Sequence, residues 1–88
     1  MVNDKSIESY EKLVKDNSIS LRQLQVLKVL KDELSFGTNR MIAKALGWDI
    51  NRVTGRITEL REKGLVIYAG DYKDKETNRT VNLWKPSI

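Results

Sequence analysis

Thr38–Val66, TNRMIAKALGWDINRVTGRITELREKGLV, is the stretch that decides the fold of this chain. Its first half predicts a short helix, because Thr38 is a suitable N-cap and apolar residues recur at helical spacing until Gly47 ends the run. One of them, Ala43, is small enough to let a second helix come close. The inward positions of this first helix are Ile42, Ala43 and Leu46.

The second half of the stretch predicts another helix, from about Ile50 to Lys63. Asp49 can cap its start, and Gly64 stands where a left-handed residue commonly ends a helix. Its inward positions recur at intervals of three or four residues and are Ile50, Val53, Ile57 and Leu60. Two short helices joined by a tight turn form a helix-turn-helix, which we predict over residues 38–63.

Two more helices are predicted on the N-terminal side. Residues 20–35 form a core helix that begins with a capping box of Ser20 and Gln23. Residues 6–16 form an amphipathic helix with the apolar stripe Ile7, Tyr10, Leu13 and Val14. The apolar arc of the core helix is wide and comprises Leu21, Leu24, Val26, Leu27, Val29, Leu30 and Leu34. Such an arc indicates either an ordinary monomer core or a homodimer seam shared with the N-terminal helix, and both interpretations stay open.

Two strands are predicted after the helix-turn-helix. LVIYAG and RTVNLWKP are rich in β-branched and aromatic residues, and the polar loop GDYKDKETN lies between them. Together they form a β-hairpin over residues 65–85. The predicted fold class is therefore mainly α with a small β-hairpin, in a single domain of residues 1–88.

Three aromatic side chains have predicted packing roles. Phe36 is expected to plug the core beneath the loop that precedes the helix-turn-helix. Trp48, in the turn, is interpreted as a lid on the core, with base stacking as the alternative. Trp84 is expected to pack against Tyr68 or the N-terminal helix, with no role in ligand binding.

The run from Ile42 to Val66 resembles the winged helix-turn-helix of bacterial and phage DNA-binding proteins, including the MarR-like group. The matching pattern is I-A-x-x-L-G, a helix cap, V-x-x-x-I-x-x-L and x-x-x-G-L-V. The resemblance implies a winged helix-turn-helix with an additional N-terminal helix, in which the β-hairpin is the wing. It also implies binding of double-stranded DNA. Many MarR-like sequences carry a basic side chain where this chain has Gly55, so the family's usual contact is missing there.

Composition excludes several kinds of function. The 88 residues include no cysteine and no histidine, so disulfides, thiolate or imidazole metal sites and histidine-based catalysis are ruled out. No two acidic residues stand in a recognisable catalytic motif, so we expect neither an enzyme nor a cofactor. No apolar run approaches the ~20 residues that a membrane span needs. A cytoplasmic protein, in a bacterial cell or a phage-infected host, is the expectation.

The net charge of +4 is unevenly distributed. Residues 1–37 contain six basic and six acidic side chains, whereas residues 38–88 contain ten basic and six acidic ones. A basic half beside a neutral half favours an anionic partner for the basic one. The alternative is an ordinary soluble surface, because the total charge is modest.

The candidate DNA-binding residues follow from the helical repeat of about 100° per residue. This repeat centres the outer face of the second motif helix on Gly55, with Asn51, Arg52, Thr54, Arg56 and Thr58 around it. Arginine and asparagine side chains match the major-groove edges of guanine and adenine, respectively. At the start of the first motif helix, where backbone amides favour a phosphate, the candidates are Thr38, Asn39 and Arg40. In the wing they are Lys73, Lys75 and Arg79, and a solvated mixed-charge loop is the alternative there.

These features predict a DNA-binding protein that places residues 50–63 in the major groove and steadies itself with the wing. A transcriptional regulator, or an accessory factor of a phage or mobile element, is the setting that the resemblance implies. The alternative is a protein-interaction module of the same fold that binds through its N-terminal helices.

Overall fold

The computed structural model describes residues 19–87, which form three helices followed by two strands. The helices are α1 (Leu21–Lys28, continued by the π-helical segment Val29–Leu34), α2 (Asn39–Leu46) and α3 (Ile50–Glu62). The antiparallel strands are β1 (Val66–Lys73) and β2 (Thr80–Pro86). This confirms the predicted fold class. The helix predicted for residues 6–16 lies outside the described residues, so the dimer seam that would combine it with α1 stays a prediction.

Each helix begins at a residue that the sequence marks as a cap. The Ser20 hydroxyl accepts a hydrogen bond from the backbone N–H of Gln23, whose side chain accepts one from Ser20 N–H, so the capping box is complete. The Thr38 hydroxyl caps α2 by accepting from Met41 N–H at 3.2 Å. The Asp49 carboxylate caps α3. These bonds satisfy amides that have no partner within their own helix.

Two glycines end the helices of the motif. Gly47 follows α2 with φ of 70°, and Gly64 lies just beyond α3 with φ of 74°. Glycine adopts this left-handed conformation without the steric cost that a Cβ atom would add. The turn between α2 and α3 and the exit from α3 are therefore set by local sequence.

The end of α1 differs from the prediction of one regular helix over 20–35. Its last six residues, Val29–Leu34, are π-helical. Ser35 then has φ of 63° and ψ of −47°, and Phe36 N–H donates to the Leu34 carbonyl at 2.7 Å in a three-residue turn. This turn directs Phe36 outward, where it is 55% exposed, so its predicted role as a core plug is wrong.

Trp84, and not Phe36, is buried beside the end of α1. Gly37 pairs with Trp84 through two backbone hydrogen bonds of 2.9 and 2.8 Å, which bring the end of α1 against β2. Trp84 is 5% exposed and contacts Tyr68 edge-to-face, with ring centroids 6.4 Å apart. The predicted packing of Trp84 on Tyr68 is confirmed.

The core lies between the three helices and the inner face of the hairpin. Its largest fully buried side chains are Leu27, Leu30, Ile42, Leu60, Val26, Val53 and Val66. Two residues predicted to point inward do not: Leu21 is 68% exposed and Ile50 is 37% exposed. Each is the first residue of its helix, beyond the part of the helix that packs against a neighbour. Trp48 packs against the core at partial exposure, as expected of a lid.

The hairpin is longer and its loop shorter than predicted. β1 continues to Lys73, which pairs with Thr80, so the loop comprises only residues 74–79. The register shifts between Tyr68 and Gly70, where a bulge bends the strand. No helix within residues 19–87 is long and apolar enough to cross a membrane.

Candidate nucleic-acid interface

The outward face of α3 is polar and accessible. Val53, Ile57 and Leu60 are buried on the opposite side of the helix. The exposed candidates on the outward face are Asn51, Arg52, Thr54 and Thr58. The threonine hydroxyls donate to backbone carbonyls one turn earlier, which orients both side chains. The face therefore presents short polar groups and one long cation.

Gly55 lies at the centre of this face and leaves it flat. A Cβ atom added there would meet nothing within 4 Å. Glycine inside a helix costs about 1 kcal/mol relative to alanine. The protein therefore has room for a side chain at Gly55 and carries none, which allows another molecule to approach the helix backbone.

We expect Gly55→Ala to raise the free energy of unfolding by up to about 1 kcal/mol, because alanine favours the helix and fits without a clash. Urea unfolding followed by circular dichroism measures this change. DNA affinity is the second readout: if the helix backbone approaches the duplex closely at this point, the stabilised variant binds more weakly. Unchanged affinity would show that the glycine is not needed for that approach.

Arg52 is the long cation of the outward face. Its guanidinium lies over the Trp48 ring, 5.8 Å from the ring centroid, and has no ion pair within residues 19–87. A cation over an aromatic ring is held in direction but keeps its hydrogen-bond donors available. Arg52 is therefore well placed to contact an anionic partner.

Arg56 is in a different situation, although it is only four residues further along α3. Its Nε and Nη2 atoms donate to the two carboxylate oxygens of Glu59 at 2.7 and 2.9 Å. Gln23 on α1 also donates to Glu59, at 2.8 Å, and Lys63 donates to Gln23. The Arg56 and Gln23 hydrogen bonds lower the pKa of Glu59 to about 2. Arg56 thus belongs to a network that joins α3 to α1, and two of its five N–H donors are already used by Glu59.

The candidates at the start of α2 also make intramolecular contacts. Thr38 is 3% exposed and serves as the helix cap. Asn39 accepts from Trp84 Nε1 at 2.9 Å and donates to Thr54 Oγ1 at 3.2 Å. Its side chain therefore links the hairpin, α2 and α3 through these two hydrogen bonds.

Arg40 is paired with the wing. Its Nε is 2.8 Å from Asp74 Oδ2, and its Nη1 is 3.2 Å from Glu76 Oε2. Lys44, one turn further along α2, also pairs with Glu76. Two cations of α2 are thus matched by two carboxylates of the wing loop, which fixes the loop beside the helix-turn-helix.

The remaining candidates are the basic wing side chains, Lys73, Lys75 and Arg79. All three are exposed, and none has an ion pair within residues 19–87. Arg79 lines a cleft of about 420 Å³ between the wing and the start of α3, together with Asn39, Ile50 and Asn82. The cleft is therefore bounded by the wing, the start of α2 and the first residue of α3.

Sequence reasoning missed the pairing of these charges. The sequence indicates a mixed-charge wing loop but predicts no partner for Asp74, Glu76, Lys44 or Glu59, and none for Gln23 beyond Ser20. An aspartate at the start of a polar loop does indicate a turn that its own side chain stabilises. No sequence pattern indicated that Arg40, thirty-four residues away, is its partner.

This chain is similar in fold to solved structures of regulators. No protein-family model matches it, and no curated protein matches it in sequence. A structure described as a possible transcriptional regulator from Methanosarcina mazei Go1 has a TM-score of 0.66 at 18% identity over 93% of this chain. A MarR family regulator from Neisseria meningitidis has a TM-score of 0.61 at 17% identity over 96%.

The chain spans 66% of the length of the first of these proteins and 56% of the second. At such low identity the likeness concerns the fold, and it confirms the predicted winged helix-turn-helix.

Proposed function

We propose that this protein binds double-stranded DNA by placing the outward face of α3 in the major groove, with the wing beside it. The observation that carries the proposal is the exposed face around Gly55, where Arg52 keeps its donors available. A B-form major groove is about 12 Å wide and admits one helix whose side chains can reach base edges. The similarity in fold to two regulators supports the same interpretation.

The candidate residues divide into two groups within this proposal. Asn51, Arg52 and Thr58 face the duplex directly, and the basic wing side chains contact phosphates or an adjacent groove. The other group caps a helix or bonds to a further side chain, and so orients these contacts; it comprises Thr38, Asn39, Arg40, Thr54 and Arg56. DNA contact by this second group remains a prediction.

The proposed setting is a cytoplasmic transcriptional regulator, or an accessory factor of a phage or mobile element, without enzymatic activity or cofactor. A homodimer through residues 6–16 and α1 remains a prediction as well. A dimer would bind a palindromic site with half-sites about one helical turn apart.

The test is fluorescence-anisotropy binding of the wild-type chain to a labelled mixed-sequence duplex across a salt series. We expect the logarithm of the association constant to fall linearly with the logarithm of salt concentration, by about 0.9 for each phosphate neutralised. Arg79→Gln should reduce that slope by about one, as loss of one phosphate contact does. Absence of binding even at low salt would reject the proposal and favour the protein-interaction module.

A further inference from the structure

Asp74 is the most buried carboxylate of the wing, at 8% residue exposure. Its side chain accepts hydrogen bonds from Glu76 N–H at 2.8 Å and from Arg40 Nε at 2.8 Å. Its backbone N–H donates to the Arg79 carbonyl at 2.8 Å, and its carbonyl accepts from Asn78 N–H at 2.7 Å. One residue thus closes both ends of the six-residue loop and ties the loop to α2.

The carboxylate is ionised under ordinary conditions. Its pKa lies below the usual value for aspartate, mainly because the Glu76 backbone N–H donates to it, and the Arg40 side chain adds to the effect. A buried carboxylate that accepts from backbone amides and a guanidinium is held in one orientation.

Position in the loop links Asp74 to the residues expected to touch DNA. Lys73 and Lys75 are its neighbours in sequence, and the Arg79 carbonyl accepts from its backbone. A movement of Asp74 therefore moves the backbone that carries all three basic wing side chains. The loop backbone fixes where each of these side chains begins, and this limits which phosphates the side chains can reach.

We propose that Asp74 is a positioning residue for DNA binding, which fixes the wing loop against α2 and thereby sets where the basic wing side chains meet the duplex. The inference rests on the proposed function. Arg40 then acts through Asp74, as part of the same assembly, and not as an independent phosphate contact.

The proposal opposes what charge alone predicts. Removing a carboxylate near a polyanion raises affinity if only the Coulomb energy matters. Removing Asp74 instead lowers affinity, because the basic wing side chains lose their common orientation. The sign of the change in duplex affinity therefore separates a positioning role from a purely electrostatic effect of the carboxylate.

The experiment measures duplex affinity by anisotropy for Asp74→Ala, Asp74→Asn and the charge-matched control Asp71→Ala. Asp71 is exposed on β1 of the same wing and interacts with the nearby Tyr68 hydroxyl. We expect Asp74→Ala to bind about fivefold more weakly than the wild type, because the wing loop loses its tie to α2. We expect Asp71→Ala to bind equally or more tightly, because it removes a negative charge without releasing the loop. Asp74→Asn keeps an acceptor for the Glu76 amide but loses the ion pair with Arg40. Its duplex affinity should therefore lie between that of Asp74→Ala and that of the wild type.

A double-mutant cycle with Arg40→Met identifies the route of the effect. If Arg40 acts through Asp74, the double variant binds no more weakly than the weaker single variant, whereas an independent phosphate contact makes the losses add. Amide hydrogen exchange of Glu76 and Thr77 in the free protein should accelerate in Asp74→Ala, which reports the loop without DNA.

The outcomes distinguish the two proposals. If the wild type binds and Asp74→Ala binds equally or more tightly, the positioning role is overturned while DNA binding stands. Additive losses in the cycle overturn the route through Asp74 and return Arg40 to the phosphate-contacting group. If the wild type binds no duplex, the proposed function fails, and the positioning role fails with it even where the exchange rates change.

Discussion

Replacing Trp84 with alanine is expected to lower the free energy of unfolding by about 3–5 kcal/mol, the largest stability loss for any single substitution considered for this chain. Domains of this kind have total stabilities of roughly 5–15 kcal/mol, so the substitution removes a large part of the total. Urea or thermal unfolding followed by circular dichroism measures the loss.

The size of the effect follows from the number of elements that meet at Trp84. The residue is 5% exposed, its indole N–H donates to Asn39, and the Arg61 guanidinium carbon lies 4.6 Å from the ring centroid. Its backbone pairs with Gly37 at the end of α1. Alanine would leave a cavity between the hairpin and the helices, together with an Asn39 oxygen that has lost its donor.

The matched control is Trp48→Ala, the same chemical change at the other tryptophan. Trp48 is only partly buried, so truncation exposes less new apolar surface and leaves no enclosed cavity. We expect its loss to be less than half of that at Trp84, and Trp84→Phe to lie between the two. Equal losses at the two tryptophans would contradict the central role given to Trp84.

Arg52→Gln is expected to weaken duplex binding by about fivefold or more, because one good contact to a base edge is worth about 1–3 kcal/mol. The folded structure should tolerate the change, since within residues 19–87 the Arg52 side chain makes no ion pair and lies over the Trp48 ring. Anisotropy titration at fixed salt measures affinity, and urea unfolding measures stability.

Arg56→Gln provides the charge-matched comparison on the same helix. It removes one positive charge, as Arg52→Gln does, but it breaks the bidentate pair with Glu59. Because this pair is partly exposed, we expect a stability loss below about 1 kcal/mol and an affinity change smaller than that of Arg52→Gln. If Arg56→Gln lost more affinity than Arg52→Gln, Arg56 would have to leave Glu59 and contact DNA, and Arg52 would not be the DNA-contacting arginine.

Sequence reasoning located the elements well because caps and periodicity act over a few residues. Thr38, Asp49 and Gly64 each fulfil the role expected from their position, and the buried residues of α3 include Val53, Ile57 and Leu60 as predicted. Helix ends depend on hydrogen bonds to nearby amides, and the apolar stripe depends only on the helical repeat. Both can be inferred without knowing the rest of the chain.

The sequence by itself therefore determined the helix-turn-helix, the wing after it and the face of α3 that looks outward. Only the tertiary structure decided that Trp84 and not Phe36 fills the core, because the turn at Ser35 and the pairing of Gly37 with β2 set their directions.

The tertiary structure also decided which arginines have acidic partners. Arg40 pairs with Asp74 in the wing, and the Glu59 that holds Arg56 is itself held by Gln23 of α1, whereas Arg52 has no acidic partner within residues 19–87. Charge pairing depends on distances of a few ångströms between residues far apart in sequence, and folding alone sets those distances.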